Sequence, residues 1–363
     1  MRQEYLTKPL LEKMGIYSIP PFMDQKTHIK PLTVFLTGGT GFLGSHVLFY
    51  LLKKGIKVYC LVRASDNTSA YERIVEALKG FPLTSCEISN IQCVLHDKWE
   101  DFTASFDCLI HTAGNISLSS SFDQSFSDNV ILTQNMYKLA HQHHAHMVHV
   151  SSLSVLVSSD LPSGALYPKA QLSCIQKTHG VYATTKFLAE AFLLNHQTLP
   201  LSVYRLGQLA STPFKLASSD PLWHIIDAFA QDGFPCFVRP CSYHKTDLLD
   251  TNHVAKFIVD NLTTPKIYHI ASPVSLSSQE MFECLTQSFP KSLNGATSNQ
   301  TAWNNHKKAR RALLRYSDNN LFQKYPYWDV FQSSRHSYEK TPITQSALSV
   351  FEAMIQYYKS TKT

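Results

Sequence analysis

Tyr182 and Lys186 stand four positions apart in the run Tyr-Ala-Thr-Thr-Lys, a phenol and an ammonium on one helical face, one turn from each other. A phenol gives or takes a proton, and a neighbouring ammonium favours its phenolate. The pair therefore predicts a tyrosine whose pKa is lowered towards the range of acid–base work, with a lysine equally able to hold a ribose hydroxyl. Tyr-x-x-x-Lys alone is as well explained by a surface helix pair. Its company points to chemistry: Ser151 and Ser152 end an apolar run over 147–150, placing a hydroxyl at the C-terminal edge of a strand. A second constellation is V-F-L-T-G-G-T-G-F-L-G over 34–44, where Gly38, Gly41 and Gly44 recur every three residues. A β-branched and aromatic run (33–37) precedes the glycines, and Phe42, Leu43, Val47, Leu48, Leu51 and Leu52 follow at helical spacing. Such glycines let the chain turn sharply, bring backbone against a pyrophosphate and pack the new helix closely on the sheet. The helix N-terminus turns its N–H groups and positive dipole end to the phosphates. An ordinary strand-to-helix turn is the plainer reading; a further apolar run over 57–62, completing a βαβ unit, favours the nucleotide site.

Positioning these groups requires a sheet. A leader over 1–31, with Pro20, Pro21 and Pro31, precedes the βαβ unit of 33–63. The pattern then predicts a helix over 71–78, strands over 91–95 and 107–111, a helix over 126–140 and a strand over 147–150. A Ser, Pro and Gly-rich loop over 158–178 should cover the site, before a helix over 182–194 and a strand over 201–206. Alternation at this spacing demands a parallel sheet covered on both faces. Beyond Gly207 the rhythm breaks: Pro213, Pro221, Pro235 and Pro240 punctuate short elements, one strand follows over 267–270, and helices are expected over 277–289, 303–315 and 343–358. The predicted fold is α/β, a doubly wound parallel sheet over 32–212 with a returning segment near 245–272. A smaller, mostly helical substrate lobe is expected over 213–244 and 273–363.

The 363 residues, 44% apolar and 17% charged, describe a globular chain with room for one and a half or two domains. A net charge of +6 without a long Lys/Arg tract argues against nucleic acid and for an anionic small ligand or acidic partner. Apolar runs such as 47–52 fall short of a bilayer span, and residues 1–31 lack signal-peptide character, so a cytoplasmic protein is expected. Eight cysteines without a C-x-x-C pair read as reduced structural thiols. His141, His143, His144, His146 and His149 crowd together, but no nearby Cys or carboxylate completes a ligand set; a solvated helix end is the expectation, and no metal.

The segments Thr37-Gly38-Gly39-Thr40-Gly41-Phe42-Leu43-Gly44, Val150-Ser151-Ser152 and Tyr182-Ala183-Thr184-Thr185-Lys186 resemble the extended short-chain dehydrogenase/reductase superfamily. Val58-Tyr59-Cys60-Leu61-Val62-Arg63-Ala64, Tyr204-Arg205-Leu206-Gly207-Gln208-Leu209 and Asp247-Leu248-Leu249-Asp250 resemble its thioester-reductase branch, which includes terminal reductase domains of nonribosomal peptide synthetases, polyketide synthases and carboxylic acid reductases. The resemblance spans 32–272. It implies Tyr182 as proton donor, Lys186 as its partner and ribose anchor, and Ser152 as hydrogen-bond donor to the carbonyl oxygen, a type of contact worth about 3 to 4 kcal/mol in the transition state. It implies an NADP(H) site at Thr37, Gly38, Thr40, Gly41, Phe42, Leu43 and Gly44, with Asp97 beside the adenine. His111-Thr112-Ala113-Gly114 resembles the turn that keeps side chains clear of the cofactor, chiefly at Ala113 and Gly114, and Asn129 the helix residue that supports the site. Arg63 stands where NAD-selective relatives carry an acid and should meet the 2'-phosphate; Arg73 either assists or is a solvated helix charge.

Leu206 precedes Gly207 where many relatives have Pro, and beyond Ser272 no motif matches. These 363 residues hold no adenylation or carrier domain, so a thioester substrate is expected as acyl-CoA or on a separate carrier protein. The basic stretch with Lys307, Lys308, Arg310 and Arg311 on a predicted helix is either a solvated face or a docking point for an acidic carrier protein or CoA phosphates. The expected activity is NADPH-dependent reduction of an acyl thioester to an aldehyde, and to an alcohol where the product stays bound. Alternatives are an extended-family enzyme acting on a nucleotide sugar, steroid-like alcohol or ketone, and, in a different class, an NADP-sensing regulatory protein.

Overall fold

A run such as Val34-Phe35-Leu36 has no polar face, so it makes a stable strand only where both faces are covered. In the computed structural model these three side chains are fully buried. The structure describes residues 4–23, 33–117, 120–156, 172–211, 213–216, 220–233, 245–290, 306–309 and 343–362. In chain order the first elements are β1 (Glu4–Leu6), α1 (Thr7–Lys13), β2 (Thr33–Thr37), α2 (Phe42–Lys53), β3 (Lys57–Val62), α3 (Asn67–Ala77), α4 (Ser85–Ile88), β4 (Ile91–Leu95) and β5 (Cys108–His111). There follow α5 (Phe122–Phe126), α6 (Leu132–Gln142), β6 (His146–Ser152), β7 (Lys177–His179), α7 (Gly180–Asn195), β8 (Leu201–Leu206), β9 (Leu209–Ala210) and α8 (Pro221–Asp232). The last are β10 (Lys245–Thr246), β11 (Leu249–Asp250), α9 (Thr251–Asp260), β12 (Ile267–Ile270), β13 (Leu276–Ser277), α10 (Ser278–Ser288) and α11 (Ala347–Lys362).

The chain divides into two compact units, and the segment Asn252–Ile270 returns to the first after the excursion Gly207–Thr251. Seven parallel strands of the first unit form one sheet in the order β12-β8-β6-β5-β2-β3-β4. Leu36 pairs with Cys60 on one side and Ile110 on the other. Strand order reverses between β2 and β5, which in an open α/β sheet opens a crevice beyond the carboxyl ends of the strands.

Several elements differ from expectation. α3 begins at Asn67 because Asp66 caps it, accepting from the Ser69 amide at 2.8 Å while Ser69 Oγ accepts from the Asp66 amide. The helix expected over 126–140 starts at Phe122, capped by Ser121, and is joined to α6 through one π-helical turn, Ser127–Ile131. β6 starts at His146, so His146 and His149 are buried strand residues and only His141, His143 and His144 lie at the helix end; this corrects the solvated reading of the cluster. The His146 ring is held by the Leu262 carbonyl and Ser202 Oγ, each at 2.9 Å. Within the expected loop over 158–178, Lys177 and Thr178 form part of β7, paired with β1; residues 157–171 lie outside the described residues.

In the second unit, Ile225 and Phe229 of α8, Phe282 and Leu285 of α10, and Phe351 and Ile355 of α11 share one apolar core. Pro221, expected to break the chain, starts α8 instead: its missing N–H falls where no helical partner exists, and Asp220 accepts from the Leu222 amide at 2.9 Å. Of the helix expected over 303–315, residues 307–309 are helical, His306 just precedes them, and the others, Arg310 and Arg311 included, lie outside the described residues. Among the described residues no helix is long and apolar enough to cross a membrane.

Candidate active site

The glycine turn closes on itself at the switch between β2 and β5. Gly38 has φ of +78°, and a Cβ there would lie 2.6 Å from Thr112 Oγ1 and 2.7 Å from the Ala113 nitrogen. A Cβ on Gly44 would sit on the Gly38 carbonyl oxygen, which accepts from the Gly41 amide at 2.7 Å. Gly41 is the N-cap of α2 and brings no side chain to its first-turn amides, so Phe42, Leu43 and Gly44 present N–H groups at a positive helix end. Thr37 is buried. Its hydroxyl lies 2.7 Å from His111 Nδ1 and accepts from the Ala113 amide at 3.3 Å, and its carbonyl accepts from Thr112 Oγ1 at 2.7 Å. Thr37 thus ties the end of β2 to the end of β5, while half-buried Thr40 and Phe42 lie on the turn itself. Backbone packed this closely where a Cβ has no room, beside a helix end without a side-chain cap, fits a dinucleotide pyrophosphate.

Two arginines converge beyond β3. Arg63 follows its last residue and is exposed, and Arg73 of α3 donates from Nη1 to the Arg63 carbonyl at 2.6 Å. Asp97 is exposed in the turn after the edge strand β4, one strand further out.

Ser152 ends β6 and Tyr182 lies in the first turn of α7, and the Ser152 hydroxyl is near enough to lower the Tyr182 pKa; Ser152 Oγ accepts from the Ser154 amide at 3.2 Å and from Ser154 Oγ at 3.0 Å. The strand alternation that turns Ser152 to the site turns Ser151 inward, where its Oγ donates to Glu190 Oε2 at 2.6 Å. Lys186 is buried, and its Nζ donates to the Val150 carbonyl at 3.0 Å. A Cβ on Gly114 would lie 3.3 Å from Lys186 Nζ and 2.8 Å from Asn129 Oδ1, so the turn after β5 rests directly on the lysine. Asn129 sits in the π-helical turn, the kind of local widening that recurs at functional sites. Its Oδ1 accepts from the Asn115 amide at 2.6 Å, and its Nδ2 donates to the Asn115 carbonyl at 3.0 Å and to Thr185 Oγ1 at 2.9 Å. Asn115 and Thr185 were not predicted, although Thr185 lies inside the Tyr-Ala-Thr-Thr-Lys run.

The electrostatics correct one expectation. Burial raises the Tyr182 phenol above its ordinary value, and the lowering contact is Ser152, not Lys186. Lys186 is itself pulled down to about 8 by burial, with Glu190 one turn on acting in the opposite direction. His111, buried near Lys186, is pushed down to about 3 and is a neutral imidazole at pH 7. The arrangement places two hydroxyl donors side by side at the carboxyl edge of the sheet with a buried amine behind them, which suits the stabilisation of a developing oxyanion.

Comparison with known proteins bears on the family and the fold. A family model described as male sterility protein, an NAD-binding family, matches residues 36–258, more than half of the chain. The chain is 34% identical over 144 residues to the L-2-aminoadipate reductase large subunit of Eremothecium gossypii, a match covering 35% of this chain and 10% of that one. It is 26% identical over 264 residues to the PKS-NRPS hybrid synthetase acdB of Aspergillus candidus, covering 66% and 10%. The chain thus spans about a tenth of the length of these relatives. The reductase domain of the aureusimine biosynthetic cluster, at 20% identity, shares the fold with a TM-score of 0.67 over 98% of this chain and 97% of that one. A doubly wound sheet with a glycine turn at its switch point and a family match that spans both leave one assignment: the chain belongs to the male sterility protein family, an NAD-binding family.

Proposed function

We propose that the protein uses NADPH to reduce an acyl thioester, presented by CoA or by a carrier protein, to an aldehyde. The placing of Ser152 at the end of β6 and Tyr182 at the start of α7, with Lys186 buried against Val150 of the same strand, carries the carbonyl chemistry, and the likeness to proteins named as reductases and PKS-NRPS synthetases supports the thioester. The first-turn amides of Phe42, Leu43 and Gly44 would hold the pyrophosphate, with Gly38, Thr40 and Gly41 shaping the turn and Thr37 fixing it to β5. Arg63 and Arg73 would take the 2'-phosphate, Asp97 the adenine and Lys186 the ribose, while Ala113 and Gly114 leave one face of the crevice clear.

Bound there, the nicotinamide supplies a hydride. Ser152 and Tyr182 donate to the substrate carbonyl oxygen and gain strength as it becomes negative. The raised pKa of Tyr182 keeps its proton in place until that oxygen is basic enough to take it. Collapse of the resulting hemithioacetal would break its C–S bond, return the hydroxyl proton to the Tyr182 phenolate and expel a thiolate that takes its proton from solvent, leaving an aldehyde; a second NADPH, with Tyr182 again giving the proton, would reduce that aldehyde to the alcohol. The test is NADPH consumption with a panel of acyl-CoA thioesters, with free thiol measured in matched samples. Thiol released in step with NADPH oxidation supports the reading; tight NADPH binding without thiol release removes it.

Two further outcomes are expected. Arg63→Ala should raise KM for NADPH by about 10- to 100-fold, the worth of a charge-assisted hydrogen bond, and leave KM for NADH nearly unchanged; equal effects on both would exclude a 2'-phosphate contact. Lys307 and Lys308 are exposed while Ala309 beside them is buried, so this stretch turns its charge outward. Reversing Lys307, Lys308, Arg310 and Arg311 to Glu should raise KM for a thioester on an acidic carrier, with the effect shrinking as salt rises. A KM that does not move excludes docking there.

A further inference from the structure

Residues 4–23 supply none of the groups named so far, yet they grip the helix that carries Tyr182 and Lys186 at both ends. At the N-terminal end, β1 pairs antiparallel with β7, Glu4 opposite His179 and Leu6 opposite Lys177, and β7 runs directly into α7. Thr7 follows, fully buried. Its amide donates to the Gln176 carbonyl at 3.1 Å, and its hydroxyl lies between the carbonyls of Gln176 at 2.6 Å and Cys174 at 2.8 Å. Gln176, buried too, donates from its side-chain amide to the Val155 carbonyl at 2.5 Å, in the turn that follows Ser152. At the far end, just past α7, Gln197 donates to the Met23 carbonyl at 2.8 Å and accepts from the Met23 amide at 3.3 Å. Between these points Leu11 and Ile16 are buried. The Tyr5 ring stacks on Phe122 at 5.4 Å, at the start of the helix leading to Asn129.

Ser152 and Tyr182 belong to different elements, and neither β6 nor α7 by itself fixes the gap between their hydroxyls. The route Thr7 to Gln176 to Val155 connects the approach to Tyr182 with the exit from Ser152. A pair of three-residue strands is not stable alone, so β7 depends on what backs β1. We propose that residues 4–23 form a clasp that holds Ser152 and Tyr182 in catalytic register, with Thr7 and Gln176 as positioning residues. The proposal rests on the roles given above to Ser152 and Tyr182.

The test uses the full chain. Thr7→Val keeps shape and amide but removes the hydroxyl, and Thr7→Ser restores it. Thr7→Val should lower kcat by about 10- to 100-fold, the scale of a slight misplacement of reacting groups, with KM and the Kd for NADPH changed by less than about twofold. It should also speed amide hydrogen exchange over 174–182, and Thr7→Ser should recover both. Gln176→Leu should have the same effect, and the double variant should be no slower than either single one, because both break one route. Wild-type kcat and exchange in Thr7→Val, a parallel loss of NADPH binding, or additive losses in the double variant would each overturn the clasp. Tyr182→Phe separates the two ideas: if it retains activity, the catalytic reading fails and the clasp with it, whereas an inactive Tyr182→Phe beside a fully active Thr7→Val defeats the clasp alone.

Discussion

Tyr182→Phe is expected to reduce its carbonyl substrate about 100- to 10,000-fold more slowly than the wild type while binding NADPH with unchanged affinity. Phenylalanine keeps the ring packed at the start of α7 and deletes only the hydroxyl, the group whose pKa Ser152 lowers. The loss should therefore fall on the charged oxygen of the transition state and not on cofactor binding, which the proposed function gives to the turn after β2 and the turn after β5. A regulatory protein that only senses the cofactor would be indifferent to this change in both respects. A retained turnover rate would assign the proton to another group. The pH profile gives a second view of the site. Lys186, pulled down to about 8, loses its charge as pH rises through that value. If the ammonium is needed, kcat/KM should fall above about pH 8, and Lys186→Met, already slow, should show no such limb.

The strands were legible because each is a short apolar run that only a covered sheet can accept, and the glycine turn because its spacing has a steric cause visible at Gly38 and Gly44. Helix starts were less so. Asn67, Thr68 and Ser69 look like loop until Asp66 is recognised as a cap, and Pro221 looks like a breaker until Asp220 is. The pairing of β1 with β7 joins segments far apart in sequence, and nothing in Glu4-Tyr5-Leu6 names its partner. The residues proposed for catalysis, Ser152, Tyr182 and Lys186, stand out by type and spacing, but their charge states do not. Those depend on burial and on the Val150 carbonyl, Ser152 and Glu190, which only the assembled fold brings within reach. A signal for the last was present: Glu190 is the single acid of α7 and Arg205 the single charge of β8, of opposite sign.

Those two charges carry the largest expected effect on stability. Glu190 Oε1 accepts from Arg205 Nε at 2.8 Å and again from its Nη2, Glu190 Oε2 accepts from Ser151, and Arg205 Nη1 lies 2.9 Å from His269 Nε2; both side chains of the ion pair are wholly buried. Arg205→Met leaves a carboxylate in the core without its countercharge and should cost about 3 to 5 kcal/mol, a large share of the roughly 5 to 15 kcal/mol that hold a typical domain together. Replacing both, as Glu190→Leu with Arg205→Met, should recover much of that loss in denaturant unfolding, because an apolar pair avoids the desolvation that the ion pair only offsets. Stability alone therefore does not require the pair. Glu190 also stands one turn from Lys186 and raises its pKa against the effect of burial. Removing the carboxylate should let burial act unopposed, so in the double variant the alkaline limb of kcat/KM should move to lower pH even where stability is restored. A limb that stays at about pH 8 in a stable double variant would confine Glu190 and Arg205 to the architecture; a limb that moves would show that the buried pair sets the charge of Lys186.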